Sequence, residues 1–222
     1  MALSIITPNQ LGDFAGRVLH LKKNNKISGV ILTVVGHTAQ VIMTCVFGLF
    51  ACVIFFYEQN KFSDNTFRIL LVCLCIAIIL SLFAFINLRS LHKIKIHKRI
   101  DPYLEVIASY SKTELIKVLI ISFLRYFIFI VQYYLLLRFY HVHISLTQSI
   151  IGIYLTFFVQ SFIPSFLLIE LGMRGASALW FFGFYTHQVT EILLSAYSLW
   201  VINLMIPGII GVYFILKLRM TR

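Results

Sequence analysis

The sequence predicts an all-α fold, a polytopic membrane helix bundle with about four full spans and two re-entrant, broken-helix elements. Of the 222 residues, 60% are hydrophobic and 12% charged, with mean hydropathy +0.92. That is about half the charge of a soluble domain. Apolar runs reach the roughly 20 residues that cross a bilayer. The basic residues alternate along the chain. Segments 17–26 and 89–117 and the tail from Lys217 hold fourteen of the nineteen Lys and Arg, which sets them on the cytoplasmic side with the C-terminus.

The whole chain, 1–222, reads as one membrane domain. Its first stretch, 1–26, combines a partial re-entrant motif with a basic cytoplasmic segment. Met1 to Pro8 lacks the basic start, apolar core and cleavage site of a signal peptide. Full spans follow at 29–57, 67–88, 115–138 and 191–216, with a re-entrant hairpin at 148–187. In the cytoplasmic loop, Arg89, Lys93, Lys95, Lys98 and Arg99 form a juxtamembrane cluster. Asp101-Pro102 opens a short surface helix. Ser111-Lys-Thr-Glu114 is a capping box just before the third span. The net charge of +11 lies in these loops, so anionic headgroups explain it and nucleic acid does not. Cys45, Cys52, Cys73 and Cys75 all fall in apolar spans, where they read as core residues rather than metal ligands or disulfides.

Polar residues inside apolar spans are costly and mark the places to look for function. In the third span Ser122, Arg125, Phe129 and Gln132 share one helical face by spacing. An arginine near mid-helix costs about 2.5–3.5 kcal/mol to insert and calls for a partner or water. Thr33, His37, Gln40, Thr44 and Gly48 form a face in the first span that reads as interhelical packing. The last span carries Glu191, Ser195 and Ser198 in its outer half, and Pro207 predicts a kink.

The region between the last two spans is broken. Stretches 148–163 and 175–187 are each too short for about 30 Å of hydrocarbon at about 1.5 Å per residue. Their flanks are poor in Lys and Arg, so the economical solution is a hairpin entering from outside, with an irregular tip over 164–174. That tip contains Pro164, Glu170, Gly172, Arg174 and Gly175. Glu170 and Arg174 stand at i, i+4 in the favourable order for an ion pair. The N-terminal run repeats the pattern with Pro8, Gly12, Asp13 and Arg17, entering from inside. Paired elements entering from opposite faces suggest an inverted repeat with a site between their tips.

Three motifs together, Thr7-Pro8-x3-Gly12-Asp13-x3-Arg17, Ser122-x2-Arg125-Tyr126-x5-Gln132 and the segment from Pro164 to Arg174, resemble the transmembrane region of bacterial lysylphosphatidylglycerol synthases, the flippase-like membrane proteins. Asp13 stands where that family usually has Glu, and Glu170 precedes Arg174 where the family places its acid after the base. Members usually have further spans before the first motif, so the resemblance implies an N-terminally truncated version. It also implies binding or translocation of an anionic phospholipid or lipid-linked substrate across the inner membrane. Arg17, Arg125, Gln132, Glu170 and Arg174 would bind the substrate. Pro8, Gly12, Asp13, Pro164, Gly172, Gly175 and Pro207 would shape the broken helices. No cofactor, metal or catalytic residue is expected. The family's soluble transferase domain is absent, which leaves room for a separate lipid-modifying enzyme, and for a homo-oligomer, as partners.

Two other readings stand beside this one. A membrane-embedded enzyme acting on lipid carriers would need catalytic residues, yet no Asp-x-Asp, Gly-x-Ser-x-Gly, His-Glu-x2-His or phosphate-loop motif occurs. A non-catalytic membrane partner or a truncated remnant of the family is the other.

Overall fold

The computed structural model describes residues 26–88, 106–107, 109–162, 167–211 and 213. Pro8, Gly12, Asp13, Arg17, the basic cluster 89–99, the Asp101-Pro102 helix start, Pro164 and the tail from Lys217 lie outside them. Among the described residues the fold is all helical, with six helices and no strand. Three stretches are long and apolar enough to cross a membrane: Gly29–Glu58, Asp64–Ile86 and Val189–Gly211. The expected span 115–138 forms a helix, Lys112–Phe139, but is not among those three. By Cα proximity the described residues divide into two compact units, one within Lys22–Ile128 and the other within Phe129–Arg222.

The unit Lys22–Ile128 is built on a long hairpin of α1 (Lys26–Glu58) and α2 (Asp64–Ile86). Helix α1 ends when Asn60 turns left-handed, at φ 54°, and the Lys61 amide donates back to the Phe56 carbonyl at 3.0 Å. This satisfies a carbonyl the helix end would leave open. Ser63 then caps α2 by accepting from the Thr66 amide at 3.3 Å, and Asp64 in the first turn suits the helix dipole. Tyr57 closes the turn by stacking on Phe67 at 4.2 Å. Ile31, Val35, Ala39, Phe85, Leu115 and Leu119 form the buried core of this unit.

Helix α3 (Lys112–Phe139) contributes its first part to that unit and its last part to the other. The expected capping box starts it. The Glu114 amide donates to Ser111 Oγ at 3.2 Å, and the Ser111 amide donates to Glu114 Oε2 at 2.7 Å. Its buried positions are Leu115, Leu119, Ser122, Tyr126, Ile130, Tyr133 and Leu137. That is a ridge advancing by steps of three or four.

The unit Phe129–Arg222 adds α4 (Leu146–Phe162), α5 (Leu167–Phe182) and α6 (Val189–Trp200). Another capping box, Ser145 with Gln148, opens α4. Helices α4 and α5 make a short hairpin whose base is tied by Gln188. Its Nε2 donates to the His141 carbonyl at 3.1 Å, and its Oε1 accepts from the His143 amide at 2.7 Å. The chain therefore enters α4 and leaves α5 at the same end.

Helix α6 runs antiparallel to the end of α3: Gln188, before its start, bonds to His141, and Asn203, past its end, bonds to Gln132. Ser195 Oγ donates to the Leu136 carbonyl at 3.3 Å, while the Tyr140 and Ser198 hydroxyls share a 2.7 Å hydrogen bond. Beyond Trp200 the helix widens into a π segment, Val201–Met205, and is α-helical again through residue 211. The predicted disturbance at Pro207 takes this form because the proline ring crowds the carbonyl of residue 203. In the widened turn the Ile206 amide reaches back to Val201.

Candidate polar site in the short hairpin

Expected as irregular over 164–174, the hairpin tip is narrower than that. Helix α5 already begins at Leu167. Leu, Ile, Glu, Met and Arg are good helix formers, and one glycine costs only about 1 kcal/mol. Glu170 and Arg174 consequently sit on a regular helix, in the i, i+4 relation their spacing predicts.

Arg174 donates through Nη2 at 2.6 Å and Nε at 3.2 Å to the same oxygen, Glu170 Oε1. Their side chains are 22% and 14% exposed, so the pair is largely withdrawn from solvent. Arg174 Nη1 also reaches Gln160 Oε1 of α4 at 3.4 Å. Gln160 Nε2 donates to Ser177 Oγ at 3.0 Å, and that hydroxyl donates to the Met173 carbonyl at 2.7 Å. A polar chain Glu170–Arg174–Gln160–Ser177 thus crosses from α5 to α4 and back. Charge-assisted bonds of this kind are the strong ones.

Gly175 lets α5 approach α6 closely, since a Cβ there would strike the Tyr197 hydroxyl and lie 3.1 Å from Leu193 Cδ2. Gly152 does the same between α4 and Phe182, where a Cβ would fall 2.5 Å from Cε1 of the ring. At Gly172 a Cβ would meet nothing within 4 Å, so packing does not demand glycine there.

Gln132 accepts from Asn203 Nδ2 at 2.8 Å, and Asn203 also donates to the Leu199 carbonyl at 3.0 Å. This pair joins α3 to the π segment, a helix irregularity often found at functional sites. Arg125 belongs to the other unit and is exposed. The four residues of the expected stripe lie on one helix, α3, but differ in burial: Ser122 is buried, Phe129 and Gln132 are partly buried and Arg125 is exposed. Ser122 lies on the buried ridge of α3, whereas Arg125, three residues on, falls about 60° away from it. On α1, Thr33 donates to the Gly29 carbonyl at 2.8 Å and Thr44 to Gln40 at 3.0 Å. Both hydroxyls are satisfied by their own helix rather than across helices, and His37 is exposed.

Gln160, Ser177, Gln188 and Asn203 were not singled out in the sequence. Ser177 had a readable signal, because 170, 174 and 177 fall on one face. Among the described residues no group of three His, Cys, Asp or Glu is placed to hold a metal ion. Compared with known proteins, the chain matches no family model, no curated protein and no solved structure.

Proposed function

We propose that this chain is a flippase-like protein of the bacterial inner membrane that binds an anionic lipid headgroup at Arg174 and carries it between leaflets. The observation that carries the reading is the Glu170–Arg174–Gln160 arrangement, a nearly enclosed arginine in a hairpin of apolar helices. Helices α4 and α5 have 17 and 16 residues, about 25 Å each, short of the roughly 30 Å hydrocarbon core. The hairpin then enters and leaves from the outer side, opposite the basic segments and the cytoplasmic C-terminus, with its turn inside the membrane.

In this reading Glu170 is the resting counter-ion. An incoming phosphodiester takes its place on the guanidinium, whose planar fork suits two-point binding of phosphate. Gln132, bonded to Asn203 at the π segment, belongs to the part of the bundle that rearranges.

The experiment is dithionite quenching of fluorescent phosphatidylglycerol in vesicles reconstituted with the full chain. Arg174→Ala should slow lipid exchange at least tenfold while the protein stays folded by circular dichroism. Unchanged exchange in folded Arg174→Ala would overturn the reading.

A further inference from the structure

Tyr133 is one of the most deeply buried side chains, 1% exposed, yet its hydroxyl has no hydrogen-bond partner among the described residues. Buried polar groups in native proteins are nearly always paired. Phenylalanine would fill the same space without that cost. The ring is held on two sides, 5.8 Å from Phe157 of α4 and 5.9 Å from Phe182 of α5. Such packing keeps the hydroxyl from swinging away to seek a partner elsewhere.

Its surroundings belong to the polar site. Phe157 stands one helical turn before Gln160, the residue that accepts from Arg174. Phe182, the other ring against Tyr133, lies on α5 about two turns beyond Arg174. The site's existing bonds leave capacity for a ligand. Arg174 spends two donors on one oxygen of Glu170 and makes only a long contact to Gln160, while a guanidinium has five donors.

We propose that the Tyr133 hydroxyl is a ligand-directed donor, completing with Arg174 a site for an acceptor-only anionic oxygen, as in a phosphodiester. The assignment rests on the anionic-lipid reading above. Arg174 supplies charge and two-point geometry. Tyr133 supplies a neutral donor from α3, so the ligand is gripped between α3 and the hairpin. An anion competes with Glu170 for the guanidinium through charge-assisted bonds, which an uncharged ligand lacks.

The test titrates the purified full chain in detergent with monomeric short-chain phosphatidylglycerol and, separately, with inorganic phosphate. Wild type should bind the lipid. Tyr133→Phe should bind about tenfold more weakly, the loss of one hydrogen bond to a charged group, with the melting temperature of the unliganded protein unchanged or raised. Arg174→Gln should lose binding. Inorganic phosphate bound with the same dependence on both residues also supports the hydroxyl's role and names free phosphate as the source of the anion. Equal affinity for wild type and Tyr133→Phe overturns the assignment and leaves the lipid reading standing. No binding by wild type, or full binding by Arg174→Gln, overturns both.

Discussion

The two helical hairpins solve the same packing problem with opposite materials. Helices α1 and α2 have 33 and 23 residues. The described polar contacts of their turn are placed at the end: Ser63 caps α2, and Tyr57 donates to Asp64 Oδ1 at 3.0 Å in an exposed contact. Polar groups within α1, such as Thr33 and Thr44, bond to their own helix. Helices α4 and α5 have 17 and 16 residues and bury a side-chain network between them. They also touch at a glycine, Gly152 of α4 against Phe182 of α5. The long hairpin is long and apolar enough to cross a membrane, and its polar side chains bond within one helix or at the turn. The short hairpin carries an ion pair linked from one helix to the other.

The contrast is broken most severely by separating the charges. Arg174→Ala leaves Glu170, 14% exposed, without its counter-ion. The cost should be roughly 2–3 kcal/mol, somewhat less than for a fully buried pair. Replacing both, as Glu170→Gln with Arg174→Gln, should recover more than half of that loss. In the long hairpin Asp64→Asn should cost well under about 1 kcal/mol, as exposed contacts do. Unfolding in detergent, followed by tryptophan fluorescence, reads all of these. If Asp64→Asn proved as costly as Arg174→Ala, the distinction between the two hairpins would fail.

Glycine substitutions give the next largest effect, and their sign should differ by position. Gly152→Ala drives a methyl into Phe182, which is fully buried and has no room to yield; overpacking of this kind costs about 1–3 kcal/mol. Gly175→Ala should cost less, because the tip of Tyr197 can swing aside. Gly36→Ala in α1 and Gly172→Ala in α5 meet nothing within 4 Å. Each should stabilise its helix by up to about 1 kcal/mol. A destabilised Gly172→Ala with an intact ion pair would show that the short hairpin needs flexibility as well as close packing.

What could be read in advance depended on whether a partner lies near in sequence. The capping box Ser111–Glu114 and the pair Glu170–Arg174 are local, and spacing alone identifies them. The bond from Asn203 to Gln132 and the bridges from Gln188 to His141 and His143 join distant residues. Only packing brings these together, and spacing carries no information about it. Arg125 shows the same limit differently. Periodicity groups Ser122, Arg125, Phe129 and Gln132, but it does not say which face is covered. Around Arg125 the chain is apolar on every side, with Phe123, Leu124, Phe127 and Ile128 all exposed, so hydropathy cannot choose. In the hairpin tip, proline and glycine predict an irregular stretch over 164–174, but the helix-forming residues between them let α5 begin at Leu167.

The smallest effect separates the two units by pH. Both α3 and α4 begin with a capping box of the same geometry, but the first uses Glu114 and the second Gln148. The Ser111 amide and hydroxyl both donate to Glu114 Oε2, and these bonds hold its carboxyl below the usual carboxylate range. A lowered folded pKa means the bonds add stability above the ordinary carboxylate range and lose it as pH falls through Glu114's own value. Gln148 does not titrate, and the Ser145 amide should stay bonded to its Oε1 throughout. Hydrogen exchange corrected for intrinsic rate should show Ser111 losing protection on acidification while Ser145 keeps it. Glu114→Gln should make the two caps behave alike. If Ser111 and Ser145 lost protection together in the wild type, the acid response would lie in the packing of both units rather than in the cap of α3.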